Sequence, residues 1–402
     1  MTTNLIDKLI IGNSTKIVFL IMDGLGGLPI KADGPTELEA AQTPYLDELA
    51  AASVCGLLDP IGYGITPGSG PAHFALFGYD PIENNCGRGL LTAAGVNFPM
   101  TDKDLFIRAN FATMDAGGLI IDRRAGRIDT ETNRRICLKL RGNVKLSENI
   151  EVFFETEREH RALIALRGDG LNENIEETDP QATGKPLVQA RALVPEAQKA
   201  ARAIAELTEK VKAALADEPK ANTILLRGYA KHRTYPSLTE RFGLKAMGIA
   251  NYPMYRGIAK LLGMTVAEET NSIEEEFAVL EKTYQNCDFF FVHIKPTDSR
   301  GEDGNFDAKV EAIEMIDRMI PIITDLNPDV LVVTGDHSTP AALAAHSWHP
   351  VPVLLSAKTC RPDRVKSFGE RDCLFGGLGR MPTAALMGVA LAHAGRLAKF
   401  GA

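Results

Sequence analysis

The chain has 402 residues, 45% hydrophobic and 24% charged, which suits a globular protein of two or three domains with ample core. A net charge of -8 excludes a general nucleic-acid surface, because such a surface needs a basic face to displace counterions from phosphate. Six cysteines without a C-x-x-C pair read as reduced, buried thiols. The first apolar run is too short for a signal sequence or a membrane span, so a cytoplasmic protein with no membrane partner is expected.

In chain order, Ile17 to Met22 is a fully apolar run that stops at Asp23. Such runs suit strands buried on both faces of a parallel sheet, and ligands gather beyond the carboxyl ends of those strands. Thr43 to Ala50 predicts a helix from its cap, its first-turn proline and its amphipathic spacing. From Gly64 to Phe74, glycines and prolines surround a single serine, and Ala72 to Tyr79 reads as helix. Ser69 is therefore expected where a turn meets a helix N-terminus, a place that favours phosphate. A serine there is often only a cap, but a metal ion beside it would make it a nucleophile.

The pattern changes near residue 100. Residues 96–221 are richer in arginine, with paired strands at Glu151 to Glu157 and Arg161 to Arg167. A polar loop from Gly168 to Lys185 and a helix from about Pro195 to Ala216 follow. We read this stretch as an inserted, smaller α+β domain that splits a core made of 1–95 and 222–402. In the second half of that core, Phe289 to Ile294 leads to Asp298, and Val330 to Thr334 leads to Asp336 and His337, with His346 beyond. Ala384 to Ala394 reads as a core helix, with a subunit contact as the alternative. Carboxylates converging from three strand ends need cations, and oxygen with imidazole ligands suits Mn or Zn, with Mg a weaker fit.

Val18 to Gly24, the Thr66 to His73 segment ending Phe77-Gly78-Tyr79-Asp80-Pro81, Gly87-Arg88-Gly89, Asp122 to Ile128 and Thr334 to Pro340 together resemble the archaeal-type cofactor-independent phosphoglycerate mutases of the alkaline phosphatase superfamily. The resemblance runs over nearly the whole chain. It implies an α/β fold with an alkaline-phosphatase-like, mostly parallel sheet flanked by helices, and an inserted substrate-binding lid. It also implies interconversion of 3-phosphoglycerate and 2-phosphoglycerate. Asp23, Ser69, Asp336 and His337 match the holders of one metal, with Ser69 the phosphorylated nucleophile, and Asp298 and His346 match ligands of a second. The implied cofactors are two divalent ions, Mn or Mg, with Zn as a third option.

One departure stands out. The family usually shows Asp-x-x-Gly-His where this chain reads Asp298-Ser299-Arg300-Gly301-Glu302, so Glu302 takes a histidine's place and should weaken any preference for Zn. His293 and Asp303 are alternative ligands. Phosphate and carboxylate on one small substrate call for guanidinium donors, and we single out Arg123, Arg124, Arg161 and Arg256, with His160 for proton transfer. A metal-dependent phosphatase, or another phosphotransferase acting on a small phosphate ester, is the competing enzyme reading. A catalytically retired binding protein, motivated only by Glu302, is the non-enzymatic one. The sequence leaves the oligomeric state open.

Overall fold

The structure is a computed structural model that describes residues 3–401. The chain divides into two compact units, Met1–Asn85 with Tyr235–Ala402, and Cys86–Thr234. In chain order the first unit begins with β1 (Ile17–Met22) and β2 (Val54–Asp59). The second holds β3 (Asp104–Met114), β4 (Ile120–Asp122), β5 (Glu151–Arg158), β6 (Arg161–Arg167) and β7 (Thr223–Lys231). The first then resumes with β8 (Ala246–Ala250), β9 (Thr265–Val266), β10 (Phe289–Ile294), β11 (Val330–Thr334), β12 (Val351–Ala357) and β13 (Gly379–Pro382).

The first unit is built on one eight-stranded sheet in the order β13-β2-β12-β11-β1-β10-β8-β9. All pairings are parallel except the two made by β12. Every residue of β1 and β10 is buried, which is why both runs are apolar apart from His293: helices cover both faces. On one face Phe19, Phe77, Phe289 and Phe291 pack edge to face. On the other, Val18, Leu20, Phe290, Val292 and Leu331 join Leu46, Phe277 and Ile313 from the covering helices. Burying each such side chain contributes about 1.5–3 kcal/mol before chain entropy is counted. The C-terminal helix Leu386–His393 buries Leu386, Met387, Ala390 and Leu391, as a core helix should.

In that covering layer the helix Ile273–Thr283 buries Glu276 near its N-terminus, and burial pushes the carboxyl up to about 8. The folded-state value is raised, so the stability linked to Glu276 is whole below its unfolded pKa and is lost as pH rises toward 8. Each tenfold change in proton affinity is worth about 1.4 kcal/mol. We therefore expect Glu276→Gln to melt with the parent at pH 4.5 and several degrees above it at pH 8. Melting curves at the two pH values check this, and a gap that does not widen would show that the carboxyl finds compensation.

The second unit is an antiparallel sheet in the order β4-β3-β6-β5, with β7 on the free side of β3. Leu105, Ile107, Ala109 and Phe111 of β3 face a core closed by the helices Thr130–Asn143 and Gln198–Ala214. The alternate residues Arg108 and Asn110 point to the opposite face. This boundary differs from the sequence reading, which ended the first core segment at residue 95 and reopened the core at residue 222. The helix Arg88–Gly95 and β7 belong to the second unit. A strand's composition records that it is buried, not which partner it pairs with, so β7 carried no mark of its sheet.

Among the described residues no helix is long and apolar enough to cross a membrane.

Candidate active site

In the first unit the carboxyl ends of β1, β10 and β11 deliver Asp23, Asp298, and Asp336 with His337 to one place, as parallel strands must. The antiparallel β12 reverses direction, so its lead-in segment, with His346, starts from that same edge. Ser69 opens the helix Ser69–Leu76 after an extended Gly68, and its side chain makes no cap bond. Its Oγ lies 3.2 Å from His337 Nε2. The same nitrogen lies 3.4 Å from Asp23 Oδ1 and 3.2 Å from Asp336 Oδ2.

Thr339 fixes which nitrogen of His337 carries a proton. Its hydroxyl donates to Asp298 Oδ1 at 2.7 Å, so it accepts from His337 Nδ1 at 3.0 Å. The lone pair of His337 is left on Nε2, aimed at two carboxylate oxygens and a serine oxygen. Likewise His346 Nδ1 donates to Pro67 O at 3.0 Å, and its Nε2 faces Asp298 Oδ1 at 3.4 Å and Glu302 Oε1 at 3.9 Å. Lone pairs meeting carboxylates fit a cation between them.

Buried and lacking any hydrogen bond, Asp23 Oδ1 and Asp336 Oδ2 fit the same demand. Asp23, Asp336 and His337 form one group of converging donor atoms, and Asp298, His337 and His346 form another. Glu302 falls outside both groups, with its side chain half exposed.

Burial and then the charge of Asp23 raise the Asp336 carboxyl well above its usual range. Burial also acts on Asp23, but Lys295, His293 and His337 outweigh it and hold that carboxyl well below. At Asp298 burial and Asp23 push upward, and Lys295 with His346 outweighs them, leaving it low. Burial and the neighbouring His346 lower His337, which suits a neutral ligand; burial lowers His346 too, but the Asp298 carboxylate outweighs it, so Nε2 takes up a proton more readily where no cation neutralises that charge.

Several neighbours were not read from the sequence. Lys295 Nζ lies 2.9 Å from Asp23 Oδ2 and bonds Asp298, and the Tyr255 hydroxyl donates to Asp23. His293, expected as an alternative ligand, stacks on Tyr255 at 3.7 Å with Nε2 3.3 Å from Asp23 Oδ2. His73 Nδ1 bonds Ser69 O at 2.8 Å and lies 3.4 Å from Asp336. Lys295 had a signal, a cation at a strand's carboxyl end three residues before Asp298; Tyr255 had none.

A sequence model described as 2,3-bisphosphoglycerate-independent phosphoglycerate mutase matches residues 50–221. A Thermus thermophilus protein described as a probable 2,3-bisphosphoglycerate-independent phosphoglycerate mutase is 48% identical over 391 residues, covering 96% of each chain. The chain belongs to the 2,3-bisphosphoglycerate-independent phosphoglycerate mutase family. A Thermotoga maritima relative of the same description is 46% identical over 99% of this chain and 98% of its own. Among solved structures, a Pyrococcus horikoshii protein matches with TM-score 0.82 at 30% identity, over 97% of this chain and all of its own. The cofactor-independent phosphoglycerate mutase of Thermoplasma acidophilum matches with TM-score 0.66 at 27% identity, over 94% of this chain and 100% of its own.

For a mutase of this family, the polar face of the second unit's sheet has a suitable composition. Arg108 on β3 stands opposite Arg227 on β7, and Asn110 stands opposite Arg161 on β6. Arg108 is buried, and its Nη1 lacks a hydrogen bond. His160 sits in this cluster: burial, then Arg161, Arg108, Arg124 and Arg127, push it down to about 3. Of the arginines read from sequence, Arg123 is engaged by Asp179 at 2.8 and 3.1 Å, and Arg161 by Glu159 at 3.0 Å. Arg256 lies in the first unit, donating to Ala250 O at 3.1 Å and Ala267 O at 2.8 Å. Arg108 and Arg227 escaped the sequence reading, although each was visible as an arginine within a largely apolar run.

Proposed function

We propose that the protein interconverts 3-phosphoglycerate and 2-phosphoglycerate without bisphosphoglycerate, through a phosphoserine on Ser69. The observation that carries this is the Ser69 hydroxyl 3.2 Å from a His337 nitrogen whose lone pair also meets Asp23 and Asp336. Asp23, Ser69, Asp336 and His337 would hold one divalent ion, and Asp298, Glu302 and His346 the other, with Mn or Mg favoured over Zn. Bound there, such ions supply Lewis acidity for the serine oxygen and the phosphoryl group.

Ser69 gives up its proton as Oγ bonds to phosphorus and the bond from phosphorus to the glycerate oxygen breaks, and that oxygen takes up a proton in its turn. The glycerate's other hydroxyl then gives up a proton and attacks the phosphoserine, restoring Ser69. Ser69, buried at the start of its helix, is shielded from water that would otherwise take the phosphoryl group. In the second unit Arg108, Arg124, Arg161 and Arg227 suit the substrate's carboxylate and phosphate. His160, held neutral, suits a proton acceptor. The six unpaired cysteines support a cytoplasmic setting.

Metal-loaded protein given 3-phosphoglycerate, with no bisphosphoglycerate, should yield 2-phosphoglycerate in an enolase-coupled assay, and EDTA should stop it. Free phosphate as the only product would replace the mutase reading with a phosphatase.

Glu302 has a separate test. If it supplies an oxygen ligand beside His346, Glu302→His should move the order of activating metals toward Zn and change KM little. An unchanged metal order would remove Glu302 from the ligand set.

A further inference from the structure

Lys309 of the helix Phe306–Asp317 is fully buried, far from the covering helix's solvent face. Its ammonium donates to Gly24 O at 2.9 Å, Gly26 O at 3.0 Å and Thr339 O at 2.9 Å. Three donors meet three carbonyls, so the group has no bonding capacity left for substrate. Beside it, 4.0 Å away, is the carboxylate of Glu37, also fully buried. Glu37 Oε2 accepts from Leu28 N at 3.1 Å, and Oε1 accepts from Ala341 N at 2.6 Å.

The pair therefore binds five backbone groups, all in two loops. One loop follows β1 and begins at Asp23. The other follows β11 and carries Asp336, His337 and Thr339. The loops also meet directly, with Thr339 N donating to Gly24 O at 3.2 Å and Gly26 O at 3.0 Å. Their approach requires glycine: a Cβ on Gly27 would stand 1.9 Å from Glu37 Oε2, and one on Gly26 would stand 1.9 Å from Ser338 Oγ.

A buried ion pair is poor evidence for stability, because apolar side chains of similar size often do as well. Apolar side chains cannot hold five backbone groups in a set arrangement. We propose that Lys309 and Glu37 are positioning residues that clamp these loops, so that Asp23, Asp336 and His337 already stand in ligand geometry before a metal binds. The inference rests on the metal-centre reading above.

The test is Mn2+ binding by calorimetry to the full chain, its Lys309→Met variant and its Glu37→Gln variant. Each variant should bind at least about tenfold more weakly, the loss typical when the support of a metal's ligands is removed, while the metal-free far-UV spectrum stays that of the parent. A merely structural role would lower the melting temperature and leave the Mn2+ affinity unchanged, and that result overturns the proposal.

Hydrogen exchange on the unmodified, EDTA-treated protein decides the matter even if both variants fail to fold. Amides of 24–28 and 337–341 should be as protected as those of β1. Protection that appears only on adding Mn2+ overturns the clamp. A parent protein that takes up no Mn2+ sinks the metal-centre reading instead, and the exchange data still judge the clamp.

Discussion

Ser69→Ala should lower kcat by on the order of 10⁴-fold or more, the scale seen when a catalytic nucleophile is removed, while leaving the melting temperature nearly unchanged. The hydroxyl caps nothing, because the N-cap of its helix is Gly68 and no side-chain cap bond is present. Among the described residues its hydroxyl meets only His337 Nε2, which keeps Asp23 and Asp336 as neighbours after the change. The deleted atom is smaller than a methyl group, so the void costs little. All of the loss should therefore appear in turnover. Intact-mass analysis after brief incubation with substrate should show a phosphoryl adduct on the parent and none on the variant. Near-normal turnover by the variant would rule out the covalent route, whatever metal is present.

What was legible in the sequence follows from what each signal encodes. β1, β10 and β11 were read because burial on both faces demands almost wholly apolar runs, with His293 and Thr334 the exceptions, and the acids at their ends then had to converge. Ser69 was read because glycine and proline confine the turn before its helix. His346 fell within the site because β12 runs against its neighbours, and no local pattern announces that reversal.

Tyr255 reaches Asp23 from a helix following β8, a strand with no acid at its end. That Arg123 is held by Asp179 was hidden because a guanidinium's protein partner is unknowable from its own position, and Asp179 lies far along the chain. Lys309 was invisible for a related reason. On sequence it is one lysine on an ordinary amphipathic helix, and only the folded loops show that it is buried. The family resemblance carried the activity, which no periodicity or spacing contains.

Asp336→Asn should make the metal-free protein more stable and the enzyme nearly inactive. In the parent, Asp336 Oδ1 accepts from Gly24 N at 3.0 Å, while the buried Oδ2 has no donor and faces the lone pair of His337 Nε2. Asparagine keeps the first bond through its carbonyl oxygen. Its amide nitrogen donates to the imidazole at every pH, whereas the parent carboxyl can do so only while it keeps the proton that burial and Asp23 favour, so the gain should be read at alkaline pH. Satisfying a buried polar group recovers about 1–3 kcal/mol, and a domain of this size gains about 2–4 °C for each kcal/mol. Removing one negative ligand must also weaken the hold on the cation that the cluster otherwise needs. Turnover should fall on the order of 10²-fold or more, and added Mn2+ should raise the melting temperature of the parent far more than that of the variant. If the metal-free variant instead melts lower than the parent, Asp336 is held by donors within the protein itself, and the strain that marks this cluster as a cation site is not there.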